Sequence, residues 1–346
     1  MFARVHCPEA LRPEELDAYL AKGWFRMGQT IFTTNFLNFK DQYYSAIWLR
    51  VVLSDLSPDR TYAKLLKLNA GFRTEIQAAT SIGPQKEALF AKYRECVTFE
   101  ASSSLHQLLY GKSQLNIYDT HEVNIYDGEK LIATGIFDIG TASAAGITCF
   151  YDPAYRRFSL GKYLIYIKMD YCKKLSLQYF YPGYFVPGYD FFDYKLSIGK
   201  SALQFFRLSS EQWLPISEFS QKLSPYQLMI DKLVTLQTLL RESKVETRLL
   251  RYEFFDANLI PDLREVELFD FPLFLFFSES QEGNFNRVIV FDVRDQYYHL
   301  VVCRSVWKSH PVENRAEVYS SNLLKAEEDE FLAQKAAETV AIILER

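Results

Sequence analysis

Five cysteines (Cys7, Cys96, Cys149, Cys172 and Cys303) are scattered through the sequence without a Cys-x-x-Cys pair. An odd, unclustered set excludes a disulfide scaffold and a zinc ribbon. It fits a reducing compartment, so a cytoplasmic location is expected. Long hydrophobic runs are also missing. The most apolar stretch, Phe269 to Phe277, is strand-length and contains Asp270 and Pro272, far short of the roughly 20 residues that span a bilayer. Met1 to Gly23 has no uninterrupted apolar segment behind a basic start, so neither a secretory signal nor a membrane partner is expected. A strong charge of one sign is lacking as well. The net charge of −4 excludes a globally basic nucleic-acid binder. Its distribution is uneven: residues 1–215 hold 24 Lys and Arg against 21 Asp and Glu, and residues 216–346 hold 15 against 22. An anionic partner is therefore expected to use a local patch within the first two-thirds.

What is abundant is aromatic. With 28 Phe and 23 Tyr, 49% hydrophobic residues and 24% charged ones, the composition is that of a globular protein rather than a disordered one. The length allows two or three domains. Pro13-Glu14-Glu15 opens a helix with Leu16, Tyr19 and Leu20 inward, and Gly23 stops it. Trp24 to Arg26, Thr30 to Thr34 and Ser45 to Leu53 read as strands. A basic helix holds Arg60, Lys64 and Lys67, and another covers Pro84 to Thr98 with Leu89, Phe90, Tyr93 and Val97 on one side. Glu122 to Tyr126 and Leu131 to Ile139 flank Asp127-Gly128, a hairpin signal. Ala144 to Tyr151 continues the meander, Ser159 to Lys174 is helical, and Leu177 to Tyr181 returns as a strand. This order suits a mixed sheet with a crossover helix. Beyond residue 215 a separate unit is expected: a helix over Gln221 to Ser243, a hairpin from Val288 to Asp292 and Tyr297 to Arg304, and a closing helix from Glu327 to Arg346.

The informative segment is Tyr151-Asp152-Pro153 followed by Arg156-Arg157-Phe158-Ser159-Leu160-Gly161-Lys162-Tyr163. Arg156-x-x-Ser159-x-Gly161 falls at a strand-to-helix turn, where free backbone N–H groups and the helix dipole attract an anion. Ordinary helix capping by Ser159 is the competing reading. The turn resembles the Arg/Gln-x-x-Gly-x-Gly/Ala loop that holds the coenzyme A pyrophosphate in GNAT acetyltransferases, with Ser159 in place of the first glycine. After the helix come Tyr179-Phe180-Tyr181-Pro182-Gly183-Tyr184 and Tyr194-Lys195. Together these ordered matches resemble the arginyl- and leucyl-tRNA–protein transferase family. That family carries Tyr-Asp-Pro, Ser-Leu-Gly-x-Tyr, Tyr-x-Tyr-Leu-Gly-Tyr and Tyr-Lys in the same order. Leu20 to Gly28 is similar to its N-terminal Gly-Phe-Arg-x-x-Gly region.

The resemblance implies an α/β (α+β) fold, a GNAT-like mixed sheet with flanking helices, plus an additional C-terminal α+β unit. The expected division is an N-terminal transferase-like region over 1–100, an acyltransferase core over 101–215 and a C-terminal extension over 216–346. It implies transfer of arginine or leucine from aminoacyl-tRNA, the co-substrate, to the α-amine of an acceptor protein with an acidic or other destabilising N-terminus. Tyr184 and Tyr194 are then the catalytic candidates. Arg156, Arg157, Ser159, Gly161 and Lys162 are the tRNA- or anion-binding candidates, and Lys195, Tyr151 and Tyr181 the substrate-binding ones. Lys168, Lys173 and Lys174 would extend the basic patch, against Asp170. Asp152 before Pro153 reads as a turn former rather than a base. His106, His121 and His299 show no partner at metal-ligand spacing.

The departures are specific. The family places an iron–sulfur cluster or metal on N-terminal cysteines, but Thr33 to Ser45 has none, so no resident cofactor is expected. Pro182 stands where Leu is usual, and Phe191-Phe192 replaces Lys-Met. Two alternatives stay open: a coenzyme A-dependent GNAT acyltransferase, and an inactive protein that binds tRNA or protein N-termini.

Overall fold

The computed structural model describes residues 1–57, 60–79, 81–97, 102–279, 284–308, 318–320 and 322–345. A small sheet is built from β1 (Arg4–His6), β2 (Phe25–Met27) and β3 (Thr30–Thr33), with helix α1 (Pro13–Ala21) between its first two strands. A hairpin of β4 (Phe36–Phe39) and β5 (Gln42–Ser45) follows. Its two turn residues, Lys40 and Asp41, both have positive φ (52° and 62°), the requirement of a two-residue hairpin loop. This hairpin lies within Thr33 to Ser45, the stretch in which the resemblance would place cysteines. It escaped the sequence reading because neither Lys nor Asp at those positions is a strong turn signal.

The main sheet contains β6 (Ile47–Val52), β7 (Arg73–Ala78), β8 (Thr120–Asp127), β9 (Lys130–Ile139), β10 (Ser143–Tyr151), β11 (Tyr179–Phe185), β12 (Leu203–Arg207) and β13 (Gln212–Pro215). Its order is β13-β12-β6-β11-β10-β9-β8-β7, so it draws strands from both sides of residue 100. Helices α2 (Arg60–Leu68), α3 (Pro84–Arg94), α4 (Leu105–Tyr110) and α5 (Leu160–Lys174) flank it. All neighbours are antiparallel except β10 and β11, which α5 connects as a crossover. One core, which includes Ala144, Leu164, Phe180 and Phe185, lies between the sheet and α5. Another, with Leu89, Phe90 and Phe150, lies under α3 and α4. The β8–β9 loop is displaced by one residue from the expected turn. Asp127 pairs with Lys130, so Gly128, with φ +57°, and Glu129 make the turn.

The C-terminal unit is a second sheet of β14 (Arg248–Tyr252), β15 (Leu273–Glu279), β16 (Phe285–Asp292), β17 (Tyr297–Lys308), β18 (Tyr319–Ser320) and β19 (Asn322–Ala333). Their order is β18-β14-β15-β16-β17-β19, and α6 (Pro225–Glu242) and α7 (Ala336–Leu344) accompany them. The expected closing helix is therefore corrected: Asn322 to Ala333 is a strand paired with β17, and only Ala336–Leu344 is helical. The acidic Glu327-Glu328-Asp329-Glu330 run does not disfavour helix. Tertiary pairing with β17 decides, through cross-strand contacts such as the Arg304–Glu327 ion pair and the His299–Asp329 hydrogen bond. Among the described residues no helix is long and apolar enough to cross a membrane.

Candidate functional site

The site begins where the sheet opens. β10 and β11 are paired only from Ser143 to Ala145 against Tyr179 to Tyr181. Beyond that, β10 runs on to Tyr151 held by β9 alone, while β11 continues to Phe185 held by β6. Two parallel strands that part company leave a wedge between them, and both carry irregularities at that point. β10 bulges between Gly146 and Thr148, and β11 between Phe180 and Gly183. Pro182 fits inside a bulge because no ladder N–H is needed there. Gly183 has φ +86°, and a Cβ on it would lie 3.3 Å from the Lys195 ammonium nitrogen. Glycine is therefore needed twice, for the backbone and for the room that Lys195 takes.

Lys195 arrives on a 3-10 segment, Asp190–Ser197. Its ammonium donates to the Tyr184 carbonyl (2.7 Å) and lies over the rings of Phe192 (5.1 Å) and Tyr184 (5.5 Å). Burial brings the amine down to about 7, with the nearby Cys149 sulfur acting in the opposite sense. Tyr194 on the same segment is 42% exposed. Its hydroxyl nevertheless lies in a recess, where burial and then Cys149 and Tyr93 raise its pKa. Tyr93, from the end of α3, meets the Tyr151 ring at 5.4 Å and is pushed up to about 12, chiefly by burial. Cys149 and Tyr151 share one face of β10, two residues apart. The wedge therefore gathers Cys149, Tyr151, Tyr93, Tyr194 and Lys195.

Tyr184 borders the wedge through its carbonyl. Its ring packs edge-on to Trp48 (5.2 Å), and burial raises its hydroxyl to about 12. It lies within β11, not after it as the sequence suggested. Tyr181 is not brought to this place. It is buried against Trp213 (5.5 Å) in the cluster that includes Leu16, Leu20 and Phe25.

The turn into α5 stands beside the wedge. Asp152 accepts from the Ala154 amide (3.0 Å) and from Lys92 (2.7 Å) and Lys130 (2.8 Å). Burial alone would raise its carboxyl, but these donors outweigh it and hold the group at about 2. It is a cap for the 3-10 turn Pro153–Phe158, as its position before proline suggested. Ser159 is the N-cap residue of α5, in the left-handed region (φ 51°, ψ 41°), and its side chain makes no capping hydrogen bond. Gly161 lies beneath the Tyr151 ring, where a Cβ would approach to 3.4 Å. Arg156 and Arg157 are exposed, and Arg157 lies over the Phe158 ring (4.8 Å). Lys162 donates to Ser197 Oγ (2.9 Å), tying the first turn of α5 to the segment that carries Tyr194 and Lys195.

The basic patch needs one correction. Lys168 is buried (1% exposed), and Lys173 donates to the Leu56 carbonyl. The sequence reading overlooked Cys149 and Tyr93. The strand period that puts Cys149 on the face of Tyr151 was the available signal for the first; nothing local marks the second.

For a metal, Asp292, Asp295 and His299 bring three donor atoms within 4.8 Å of one another. His299 thus has the neighbours that its spacing did not suggest. These groups already serve each other, however: Asp292 binds Arg294 through both oxygens, and His299 bonds Asp295 (3.0 Å) and Asp329 (2.6 Å).

Residues 85–204 match the family model described as "Arginine-tRNA-protein transferase, C terminus". The chain is similar to the aspartate/glutamate leucyltransferase of Leptospira interrogans, at 26% identity over 226 residues, covering 63% of this chain and 85% of that one. It is likewise similar to that of Vibrio cholerae, at 25% over 215 residues (60% and 85%), and to that of Campylobacter jejuni, at 27% over 190 residues (53% and 77%). Among solved structures, FemX aligns with TM-score 0.36 at 10% identity, covering 59% of this chain and 69% of that one. A GCN5-related N-acetyltransferase from Kribbella flavida aligns with TM-score 0.27 at 16% identity, covering 42% and 49%. Residues 85–204 therefore carry the C-terminal domain of the arginine-tRNA–protein transferase family, in a chain distantly homologous to the aspartate/glutamate leucyltransferases.

Proposed function

We propose that the protein moves an amino acid from a charged tRNA to the α-amine of an acceptor protein, with the β10–β11 wedge as the reaction site. The observation that carries this reading is the convergence of Lys195 and Tyr194 with Tyr151 and Cys149 where the two strands part. The donor ester is already activated. The site must align it with the amine, receive a proton and stabilise the oxyanion. Lys195, at about 7, is suited to exchange a proton with the acceptor's α-ammonium near neutral pH. The half-open Tyr194 ring offers a stacking surface for the terminal adenosine. Arg156, Arg157, Lys162 and the α5 amides offer contacts to the tRNA phosphates.

Among the described residues, the groups named at the wedge are aromatic, cationic or sulfur-bearing, and the carboxylate of Asp152 beside it is taken by Lys92 and Lys130. An arginyl side chain would look for a carboxylate there, whereas a leucyl side chain needs only apolar surface. We therefore assign leucine as the transferred residue, onto acidic N-termini. The test is incubation with leucyl- and arginyl-tRNA and peptides beginning with Asp, Glu, Arg or Lys, with acetyl-CoA in parallel. Leucine on the Asp and Glu peptides is expected. Arginine transfer would reverse the donor assignment. Saturable acetyl-CoA use without tRNA binding would replace the reading with a GNAT acyltransferase. Binding of charged tRNA without any transfer would leave a recognition protein.

A further inference from the structure

The β4–β5 hairpin has two faces, set by the alternation of Phe36-Leu37-Asn38-Phe39 against Gln42-Tyr43-Tyr44-Ser45. Phe36 and Tyr43 belong to the C-terminal core, where Tyr43 stacks on Tyr226 (5.9 Å) and its hydroxyl donates to the Tyr252 carbonyl (3.2 Å). At the turn, the Asp41 carbonyl accepts from the Tyr319 hydroxyl (3.0 Å). Phe39 and Tyr44 lie on the other face and meet the segment that carries Tyr194 and Lys195. Phe39 stacks on Tyr189 (4.9 Å) and reaches Phe192 (6.4 Å), and Tyr44 meets Tyr189 (5.7 Å). The Phe192 ring in turn lies 5.1 Å from the Lys195 ammonium. The hairpin is thus a plate with the C-terminal unit on one side and the ring beside Lys195 on the other.

The Lys195 segment needs such support. Asp190–Ser197 is a 3-10 run, none of whose residues is fully buried, and the internal hydrogen bonds of such runs are of poor geometry. Lys162 ties its far end through Ser197 (2.9 Å), and the rings of the hairpin meet its near end. Thr33 to Ser45 contains no cysteine, so the grip there is aromatic. The titratable groups around the ammonium are Cys149 of β10, Tyr93 of α3, Tyr184 of β11 and Tyr194 of its own segment. Asp190 and Asp193 of that segment are exposed, as are Lys40 and Asp41 of the hairpin turn.

We propose that the β4–β5 hairpin is a positioning device for the transfer: Phe39 and Tyr44 hold the Lys195 segment against the wedge, and the C-terminal unit, by anchoring the opposite face, supports the reaction without touching a reacting group. This rests on the aminoacyl-tRNA reading above.

The experiment follows two quantities in the full-length protein: the transfer rate against pH, and the acetylation of Lys195 by acetic anhydride against pH, read by mass spectrometry without tRNA. Only the neutral amine reacts, so the second reports on Lys195 whether or not transfer occurs. In wild type the acetylation midpoint is expected at about 7. Phe39→Ala should admit water beside Phe192 and move the midpoint upward by about one unit, toward ordinary lysine. Transfer at pH 7 should slow about fivefold, in step with the loss of neutral amine, while charged-tRNA affinity stays as in wild type. Phe39→Tyr, which keeps the ring, should restore the wild-type midpoint. Leu240→Ala, in the C-terminal core at the far end of α6 from Tyr226, is the control. It should lower the melting temperature without moving the midpoint. Should Phe39→Ala not fold, Tyr44→Ala is read in the same way, with a smaller shift. If the midpoint and rate of the hairpin variant match those of Leu240→Ala, the positioning role is overturned and the transferase reading stands. If the midpoint moves as expected but wild type itself never transfers from charged tRNA, the hold on Lys195 is supported and the transferase reading falls.

Discussion

Lys195 holds a charge where the surroundings do not favour it, and two measurable consequences follow from the sign of that effect. An unfolded lysine titrates near 10.4, whereas burial brings Lys195 to about 7. Between those values the unfolded chain binds the extra proton. Stability therefore rises with pH across that window, and the full penalty is felt below it. Lys195→Met should raise the melting temperature at pH 7, by an amount that shrinks as pH approaches 10, while abolishing transfer. In wild type the transfer rate should climb with pH through about 7 as the neutral amine becomes available; a flat profile from pH 6 to 8 would remove Lys195 from the proton path. At this scale the sequence was partly legible. The Tyr-Lys pair and Gly183 stood out as motif residues, and the structure supplies the reason for the glycine in its positive φ and in the Lys195 ammonium beside it. Tyr181 stood out for the same reason, yet it fills a hydrophobic cluster. A motif shows that a tyrosine is wanted, and only the fold shows which side of the strand it faces.

Among elements, the turn into α5 has the most to test, because it joins an exposed cationic pair to a buried carboxylate. Arg156→Ala combined with Arg157→Ala should weaken charged-tRNA binding most at low salt. With two phosphate contacts gone, the slope of log affinity against log salt should flatten by roughly 1.5. An unchanged slope in a folded variant would move the tRNA elsewhere. Asp152 tests the same turn through stability. Its carboxyl, at about 2, lies below the unfolded value near 3.9. It therefore contributes stability that is full above about pH 4 and disappears as pH falls through 2. Asp152→Asn should lower the melting temperature at pH 7, and the difference from wild type should narrow on acidification. Helices α1, α2, α3, α5 and α6 and the β8–β10 meander were readable because their periodicity is local. The β4–β5 hairpin and β19 were not. The first turns on two left-handed residues of unremarkable type, and the second owes its extended form to β17. Even the wedge, which no local pattern announces, arises from the pairing of strands some 35 residues apart in sequence.

At the scale of the whole molecule, the break in composition at residue 215 suggested an independent acidic unit, but its core reaches back to the start of the chain. Phe2, Phe36 and Tyr43 are buried among C-terminal residues such as Tyr226, Tyr252 and Phe269. The Phe2 and Ala3 amides donate to the buried carboxylate of Asp270, the Tyr43 hydroxyl to the Tyr252 carbonyl, and the Tyr226 amide to Ser45 Oγ. Contacts across more than 180 residues leave no mark in local composition, which is why the sequence did not reveal them. Cutting the chain after residue 215 would return those three aromatic side chains to water. At about 1.5–3 kcal/mol for each large apolar side chain, the loss is on the order of 5 kcal/mol, comparable with the whole stability of a modest domain. The fragment 1–215 should therefore melt well below the intact protein, bind a hydrophobic dye and be cut by protease first within residues 1–45. Asp270→Ala in the intact chain should reproduce the early proteolysis without the dye binding, because it frees β1 while Phe36 and Tyr43 stay covered. A fragment that melts at the full-length temperature, dye-free and protease-resistant, would show that the transferase core stands without its C-terminal partner.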